Sequence, residues 1–306
     1  MLMNGKIKLQ LPSPIHEVID DLFIEKKVTV LFKRDDLIHQ DISGNKWRKL
    51  KYNLEASKGK NILTFGGAFS NHIAASAVAC NYSNIKSIGI IRGERPKQMN
   101  STLLFAERSG MQLEFISRQE YKAKNTPEFL EKINKKYNEP FIIPEGGANQ
   151  EGLMGCAEVI HELPDDFDYI ITAVGTGATI AGLSLGLKDN QKVYGISVLK
   201  GAEYLNNEIE DLLDLDRDRS KNYELIHDYH FGGYAKIKLG LIQFMNDFYA
   251  KHGIKTDPIY SGKSLYALYD MIQKDVFPPN SKIIYYHCGG LQGIEGMEKR
   301  YGIDLF

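Results

Sequence analysis

With 306 residues, 43 % of them apolar, the chain can bury a sizeable core, and two lobes of roughly 100 to 200 residues each are the natural division. A formal net charge of -1, no apolar run of spanning length and no signal-like apolar core in residues 1–14 argue against nucleic-acid partners, membrane partners and a secretory leader. Cys80, Cys156 and Cys288 lie far apart with no Cys-x-x-Cys pair, so no disulfide framework or cysteine zinc site is expected, and the chain reads as cytoplasmic and open to small neutral or zwitterionic molecules.

Residues 1–27 read as a polar lead-in with Pro12 and Pro14, and 28–33 as a β-branched strand. Ser43-Gly44-Asn45-Lys46-Trp47-Arg48-Lys49-Leu50 then forms a glycine turn that delivers a lysine onto the first turn of a helix, with Trp47, Leu50 and Leu54 as its apolar seam. Four short apolar runs, 61–65, 87–91, 112–116 and 141–144, alternate with helices over roughly 71–82, 98–109 and 125–138. Alternation at this spacing predicts right-handed crossovers and a parallel sheet. After Glu145-Gly146-Gly147-Ala148 the pattern predicts a helix to about Leu163, then a buried strand over 169–174 that opens the second lobe. A strand over 192–199, a charged helical and loop region over 203–222, an amphipathic helix over 235–252 and a last strand over 282–286 follow. That strand runs into His287-Cys288-Gly289-Gly290, a turn where backbone can approach a ligand closely.

Lys46 sits where the helix macrodipole and any burial both disfavour an ammonium, so its pKa should fall and free amine become available. Lysine activated in this way forms Schiff bases with carbonyl cofactors; the plainer alternative is a solvated cation among Arg48, Lys49 and Lys51. Val174-Gly175-Thr176-Gly177-Ala178-Thr179-Ile180-Ala181-Gly182 follows a strand and opens a helix. Its free N–H groups and two threonine hydroxyls suit a phosphate, with a structural tight turn as the alternative. Its glycines fall as G-x-G-x-x-x-x-G, the next strand lacks a ribose-binding acid, and no Gly-Lys-Ser/Thr ending follows, which argues against a nucleotide site. In Phe65-Gly66-Gly67-Ala68-Phe69-Ser70-Asn71-His72, Ser70 and Asn71 suit either helix capping or a small carboxylate on the helix N-terminus. His72 is either a proton carrier or a satisfied interior histidine. Tyr234, in Phe231-Gly232-Gly233-Tyr234, and Tyr260, in Tyr260-Ser261-Gly262-Lys263, are explained by packing from sequence alone.

Taken in order, GNKWRKL, GGAFSNH, IPEGGANQEGLMG, GTGATIAG, GGY, IYSGKS and HCGG resemble the pyridoxal-phosphate enzymes grouped as 1-aminocyclopropane-1-carboxylate deaminase and D-cysteine desulfhydrase, over about residues 30–295. The resemblance implies an α/β fold of the tryptophan synthase β-like architecture, called fold type II, with two three-layer α/β/α domains and mostly parallel sheets. Residues 1–50 and 157–306 would form the large cofactor-binding domain and 51–156 the small one. It further implies that Lys46 carries pyridoxal 5'-phosphate covalently, that Asn71 bonds its phenolic oxygen, and that Thr176, Gly177, Ala178 and Thr179 hold its phosphate. Ser70, Asn71 and His72 would take the carboxylate of a small amino-acid substrate, while Ser70, Tyr234 and Tyr260 would act with Lys46 in catalysis. A homodimer without metal is implied as well.

Three positions depart from the deaminase pattern, and the arginine that often follows shortly after Ser-Asn is missing from Ile73-Ala74-Ala75. His72 stands in place of glutamine, as in the desulfhydrases; Ser261 stands where deaminases carry glutamate and desulfhydrases threonine; Cys288 replaces the usual residue of the His-x-Gly-Gly turn. Ser261 is expected beside the pyridine nitrogen. A carboxylate there would keep the ring protonated and a stronger electron sink, whereas a serine hydroxyl can only donate or weakly share a proton, which points to a neutral ring. The expected reaction is therefore α,β-elimination from D-cysteine or a β-substituted alanine to a keto acid and ammonia, with Lys46 as base. The alternatives are 1-aminocyclopropane-1-carboxylate deamination, opening the ring to 2-oxobutanoate and ammonia, and a non-catalytic small-ligand-binding module on the same fold.

Overall fold

The computed structural model describes residues 7–213 and 222–306. In chain order its elements are β1 (Ile15–Glu17), α1 (Asp21–Glu25), β2 (Thr29–Lys33), α2 (Asn45–Ala56), β3 (Ile62–Gly66), α3 (Asn71–Tyr82), β4 (Ser87–Arg92), α4 (Ser101–Arg108), β5 (Met111–Ile116), α5 (Arg118–Lys122), α6 (Pro127–Tyr137), β6 (Phe141–Ile143) and α7 (Gln150–Ala157). The second half adds β7 (Tyr169–Val174), α8 (Ala178–Leu185), β8 (Lys192–Ser197), α9 (Leu205–Leu213), β9 (Tyr223–Ile226), α10 (Leu239–His252), α11 (Ser261–Gln273), β10 (Lys282–Tyr286) and α12 (Ile294–Tyr301).

Two sheets organise these elements. One runs β1-β2-β10-β7-β8-β9 and is parallel except for the short antiparallel edge strand β1; the other runs β5-β4-β3-β6 and is wholly parallel. Strands covered on both faces need continuous apolar runs rather than alternation, and β3 is buried at every residue. Phe32, Leu265, Leu268 and Ile283 pack one face of the larger sheet against α1, α10 and α11, and Ile170, Ile180 and Ile284 pack the other against α7, α8 and α9. On the smaller sheet, Leu50, Leu54 and Ala79 from α2 and α3 cover one face with Ile62 and Ile143. Tyr121, Phe129 and Ile133 from α5 and α6 cover the other with Leu63 and Ile90. Helix α7 meets α2 at Gly155, where a Cβ would fall 1.8 Å from the Arg48 carbonyl oxygen.

Several boundaries differ from the sequence reading, each for a local reason. The lead-in contains β1 and α1, the latter started by Asp20, whose Oδ1 accepts from the Leu22 N–H at 3.1 Å. The helix expected to reach Leu163 ends at Ala157 and tightens into a 3₁₀ turn over Glu158–Glu162, which brings Glu162 onto Arg48 and Lys33. The helix expected from residue 98 starts at Ser101, because Asn100 Oδ1 caps it through the Leu103 N–H. The helix expected from residue 235 starts at Leu239, since Phe231, Gly232, Gly233 and Ala235 all have positive φ. Residues 1–6 of the lead-in and 214–221 of the charged region lie outside the described residues.

Candidate active site

Both parallel sheets turn their carboxyl ends toward one cavity of about 520 Å³, lined by loops that leave β3, β4, β6, β7 and β10. Its wall includes Lys46, Ser70, Asn71, His72, Thr176, Gly177, Thr179, Tyr234, Tyr260 and Cys288, residues drawn from both halves of the chain. Of the site residues expected from sequence, Ala178 and Ser261 stay out of that wall.

Gly44 sets the position of Lys46. It precedes α2 with φ +65°, and a Cβ on it would lie 1.8 Å from the Cys288 carbonyl oxygen, so the start of the helix rests directly on the 287–290 turn. Lys46 Nζ donates to Asn45 Oδ1 at 2.7 Å, and Asn45 Nδ2 donates to Thr179 Oγ1 at 2.9 Å. Burial, and then the neighbouring cation Lys49, push the Lys46 ammonium down to about 8. The direction is the one expected from the sequence, although burial and a second lysine carry it.

The candidate phosphate cradle lies around the start of α8. Gly177 precedes that helix with φ +76° and no side chain caps it, so the first-turn N–H groups have no side-chain acceptor, and Gly177 and Thr179 line the cavity. The Thr179 hydroxyl accepts from Asn45 and keeps its own proton to donate. Lys49, one helical turn beyond Lys46, is buried, lines the cavity and donates from Nζ to the Gly146 carbonyl at 3.1 Å; Gly146 in turn lies against Thr176. An uncapped helix start, two threonines and a buried cation are a donor set suited to a phosphate monoester. Across the cavity, Asn71 Oδ1 is buried with no partner among the described residues, and either atom of that amide can meet an oxygen or hydroxyl of a bound ring. These residues therefore fit a phosphorylated aldehyde. Sequence reasoning missed Asn45 and Lys49, although the i, i+3 spacing of Lys46 and Lys49 places both lysines on one helix face.

Ser70 caps α3 through the Ile73 N–H at 3.3 Å, as the local sequence suggested, and its hydroxyl proton remains free for a ligand. His72 requires a correction. Thr64 Oγ1 donates its only proton to the Ile143 carbonyl at 2.9 Å, so the 2.8 Å contact with His72 Nε2 must be a donation from the imidazole. His72 is thus held as the Nε2–H tautomer with a bare Nδ1. Burial and the nearby Lys46 and Lys49 keep it neutral, well below the usual histidine range. With its one proton committed to Thr64, such a ring has none free to offer a carboxylate or a leaving group.

Tyr234 and Tyr260 stand edge to face, with ring centroids 6.1 Å apart at 70°. Burial raises both phenols, so each is a proton donor at neutral pH. Cys288 is a protonated thiol, pushed up to about 11 by burial, with Sγ 3.1 Å from Thr172 Oγ1. Ser261 also departs from expectation. Its Oγ donates to Asp257 Oδ2 and accepts from the Asp257 N–H, each at 2.7 Å, while the same carboxylate closes the start of α11 through the N–H groups of Ile259, Tyr260 and Ser261. The serine proton is committed to a buried carboxylate that the sequence motif did not reveal.

The chain is 34% identical to a bifunctional D-cysteine desulfhydrase/1-aminocyclopropane-1-carboxylate deaminase, mitochondrial, of Arabidopsis thaliana, over 93% of this chain and 77% of that protein. It is 31% identical to a putative 1-aminocyclopropane-1-carboxylate deaminase of Pyrococcus horikoshii, over 92% of this chain and 88% of that one. A crystal structure of an ACC deaminase homologue superposes with a TM-score of 0.80 at 29% identity, covering 95% of this chain and 93% of the other. The family model described as pyridoxal-phosphate dependent enzyme matches residues 10–289. The chain therefore belongs to the pyridoxal-phosphate-dependent enzymes, in the family of the 1-aminocyclopropane-1-carboxylate deaminases and D-cysteine desulfhydrases.

Proposed function

We propose that the protein is a lyase that releases a keto acid and ammonia from a small amino acid by α,β-elimination, with D-cysteine or a β-substituted alanine as substrate. The observation that carries this reading is Lys46, whose amine is pushed down to about 8 and tied through Asn45 to the cradle threonine Thr179. When bound, pyridoxal phosphate supplies an electron sink for charge developing at the substrate α-carbon. The chain supplies the rest. Lys46 as free amine takes the α-proton, Ser70 and Asn71 hold the carboxylate, and the protonated phenols of Tyr234 and Tyr260 are placed to donate to a departing group. A neutral His72 presents an acceptor rather than a charge.

The Asp257–Ser261 pair favours a second reading. A serine whose proton is held by a carboxylate keeps a lone pair to accept from a protonated ring nitrogen, and Ser261, one residue beyond the cavity-lining Tyr260, would strengthen the sink that cyclopropane opening demands if the bound ring reaches it. Keto-acid release across D- and L-cysteine, D- and L-serine, β-chloroalanine and 1-aminocyclopropane-1-carboxylate separates the two. Turnover of the β-substituted amino acids is expected. Turnover of the cyclopropane substrate alone would replace elimination by ring opening.

The cradle has its own test. Thr179→Val preserves shape but removes a charge-assisted hydrogen bond worth about 1.5 to 3 kcal/mol, so cofactor affinity in an absorbance titration should fall roughly 10- to 150-fold with the fold intact. Unchanged affinity would move the phosphate elsewhere.

A cytoplasmic homodimer with a large domain of 1–50 and 157–306 and a small domain of 51–156 belongs to the same reading. The pairing of β2 with β10, with β1 joined through β2, supports the division into domains, and the three buried free cysteines suit a reducing compartment.

A further inference from the structure

Lys263 is fully buried at the first turn of α11, yet among the described residues no carboxylate touches it. Its Nζ donates instead to two backbone carbonyls, those of His230 and Gly233, at 2.9 Å each. Burial pushes its ammonium down to about 8, against the more distant Asp257. A buried cation without a counter-charge is a liability for stability, so its presence calls for a role beyond holding the fold together.

The two carbonyls do not need Lys263 for satisfaction. His230 O already accepts from the Gly233 N–H at 3.0 Å, and Gly233 O from the Lys236 N–H at 3.1 Å. What the lysine adds is location. The loop it grips runs through positive φ at Phe231, Gly232, Gly233 and Ala235, conformations that the phenylalanine and the alanine adopt only under constraint. Tyr234 is the residue carried between them, and its ring enters the cavity beside Tyr260. On the outer side, Tyr301 donates to the Ala235 carbonyl at 2.8 Å. The loop is therefore tied from the core by Lys263 and from α12 by Tyr301.

We propose that Lys263 is a positioning residue, whose ammonium fixes the strained loop so that the Tyr234 hydroxyl is aimed at the bound amino acid. The proposal rests on reading this cavity as the catalytic one. Lys263 does not line the cavity and acts through Tyr234.

Lys263→Met, and Lys263→Gln in case the methionine variant does not fold, test this in two ways. In the cofactor-loaded enzyme, the variant should keep the yellow band and cofactor affinity within about 2-fold, while kcat/KM falls roughly 10- to 100-fold, the usual result of misplacing one catalytic group. In a Tyr234→Phe background the same change should cost less than about 3-fold, because the group being aimed is already gone. Effects that multiply in the double variant would overturn the proposal and leave Lys263 a general structural residue. The second readout does not depend on the cofactor. With 3-fluorotyrosine placed at position 234, the ¹⁹F resonance of the unloaded protein should move or broaden in the Lys263 variants. A sharp, unshifted resonance in a folded variant would overturn the proposal even if the enzyme reading stands. Absence of any yellow band in wild type would instead overturn the enzyme reading, with the resonance still deciding whether Lys263 positions Tyr234.

Discussion

Lys46→Ala should fold normally, bind no cofactor covalently and lose turnover by about 10³-fold or more, since the attachment point and the base for the α-proton vanish together. The wild type incubated with pyridoxal phosphate should be yellow and, after borohydride reduction, carry the adduct on Lys46. The pH dependence follows from the same group. Its ammonium is pushed down to about 8, so the reactive amine dominates above that pH, and cofactor uptake should accelerate as pH rises through about 8 and then level off. Lys49 is one of the causes of that depression, so Lys49→Met should shift the midpoint upward while weakening phosphate binding. A yellow band that survives in Lys46→Ala, or an adduct on Lys49 or Lys263, would remove Lys46 from the centre of the site.

The largest loss of stability is expected at Arg48, two residues along the same helix but on its other face. Its Nη1 and Nη2 donate to Glu162 Oε1 and Oε2 at 2.6 and 2.8 Å, and its Nε and Nη2 to Asp35 Oδ2 and Oδ1 at 3.0 Å each. Lys33 reaches Glu162 at 2.6 Å, and Tyr286 reaches Asp35 at 2.6 Å. Two cations and two carboxylates thus balance in the interior and pin α2, and with it Lys46, to the larger sheet. Arg48→Met leaves the buried Asp35 and the partly buried Glu162 facing one lysine, and breaking a buried set of this kind costs about 3 to 5 kcal/mol. Urea unfolding should show that loss; a change below about 1 kcal/mol would mean that the network contributes little beyond what packing supplies.

Glu162 gives the network a pH signature. Burial would raise its carboxyl, but the hydrogen bonds from Arg48 and Lys33 prevail and hold it at about 2, below an ordinary value of 4.5. Its contribution is therefore complete above pH 4.5 and drains away as pH falls toward 2. Glu162→Gln should flatten that acid limb of the stability curve.

Much of this arrangement was legible in the chain. Short apolar runs such as 62–66 and 283–286, bounded by turn residues, read as strands covered on both faces, because continuous apolar character leaves no side for water. The order of the glycine turns marked where those strands end, hence the Lys46 turn, the Ser70 cap and the Thr176–Thr179 cup. A helix start also lowers a lysine pKa whatever surrounds it.

What the sequence could not determine were contacts between residues far apart in the chain. Lys49 and Asn45 join the cradle because α2 lies against Gly146 and Thr179, and nothing in GNKWRKL announces a partner 97 or 134 residues away. The tautomer of His72 is decided by Thr64 and Ile143, which meet only when β6 pairs with β3. The committed proton of Ser261 depends on a turn that folds Asp257 back onto the start of α11, and the grip of Lys263 on residues 30 and 33 positions earlier depends on the same helix passing beneath the tyrosine loop. Period and turn chemistry act within a few residues and so determine strands, helices and caps. Hydrogen-bond direction and charge balance depend on which groups burial forces together, and only the tertiary structure decides that.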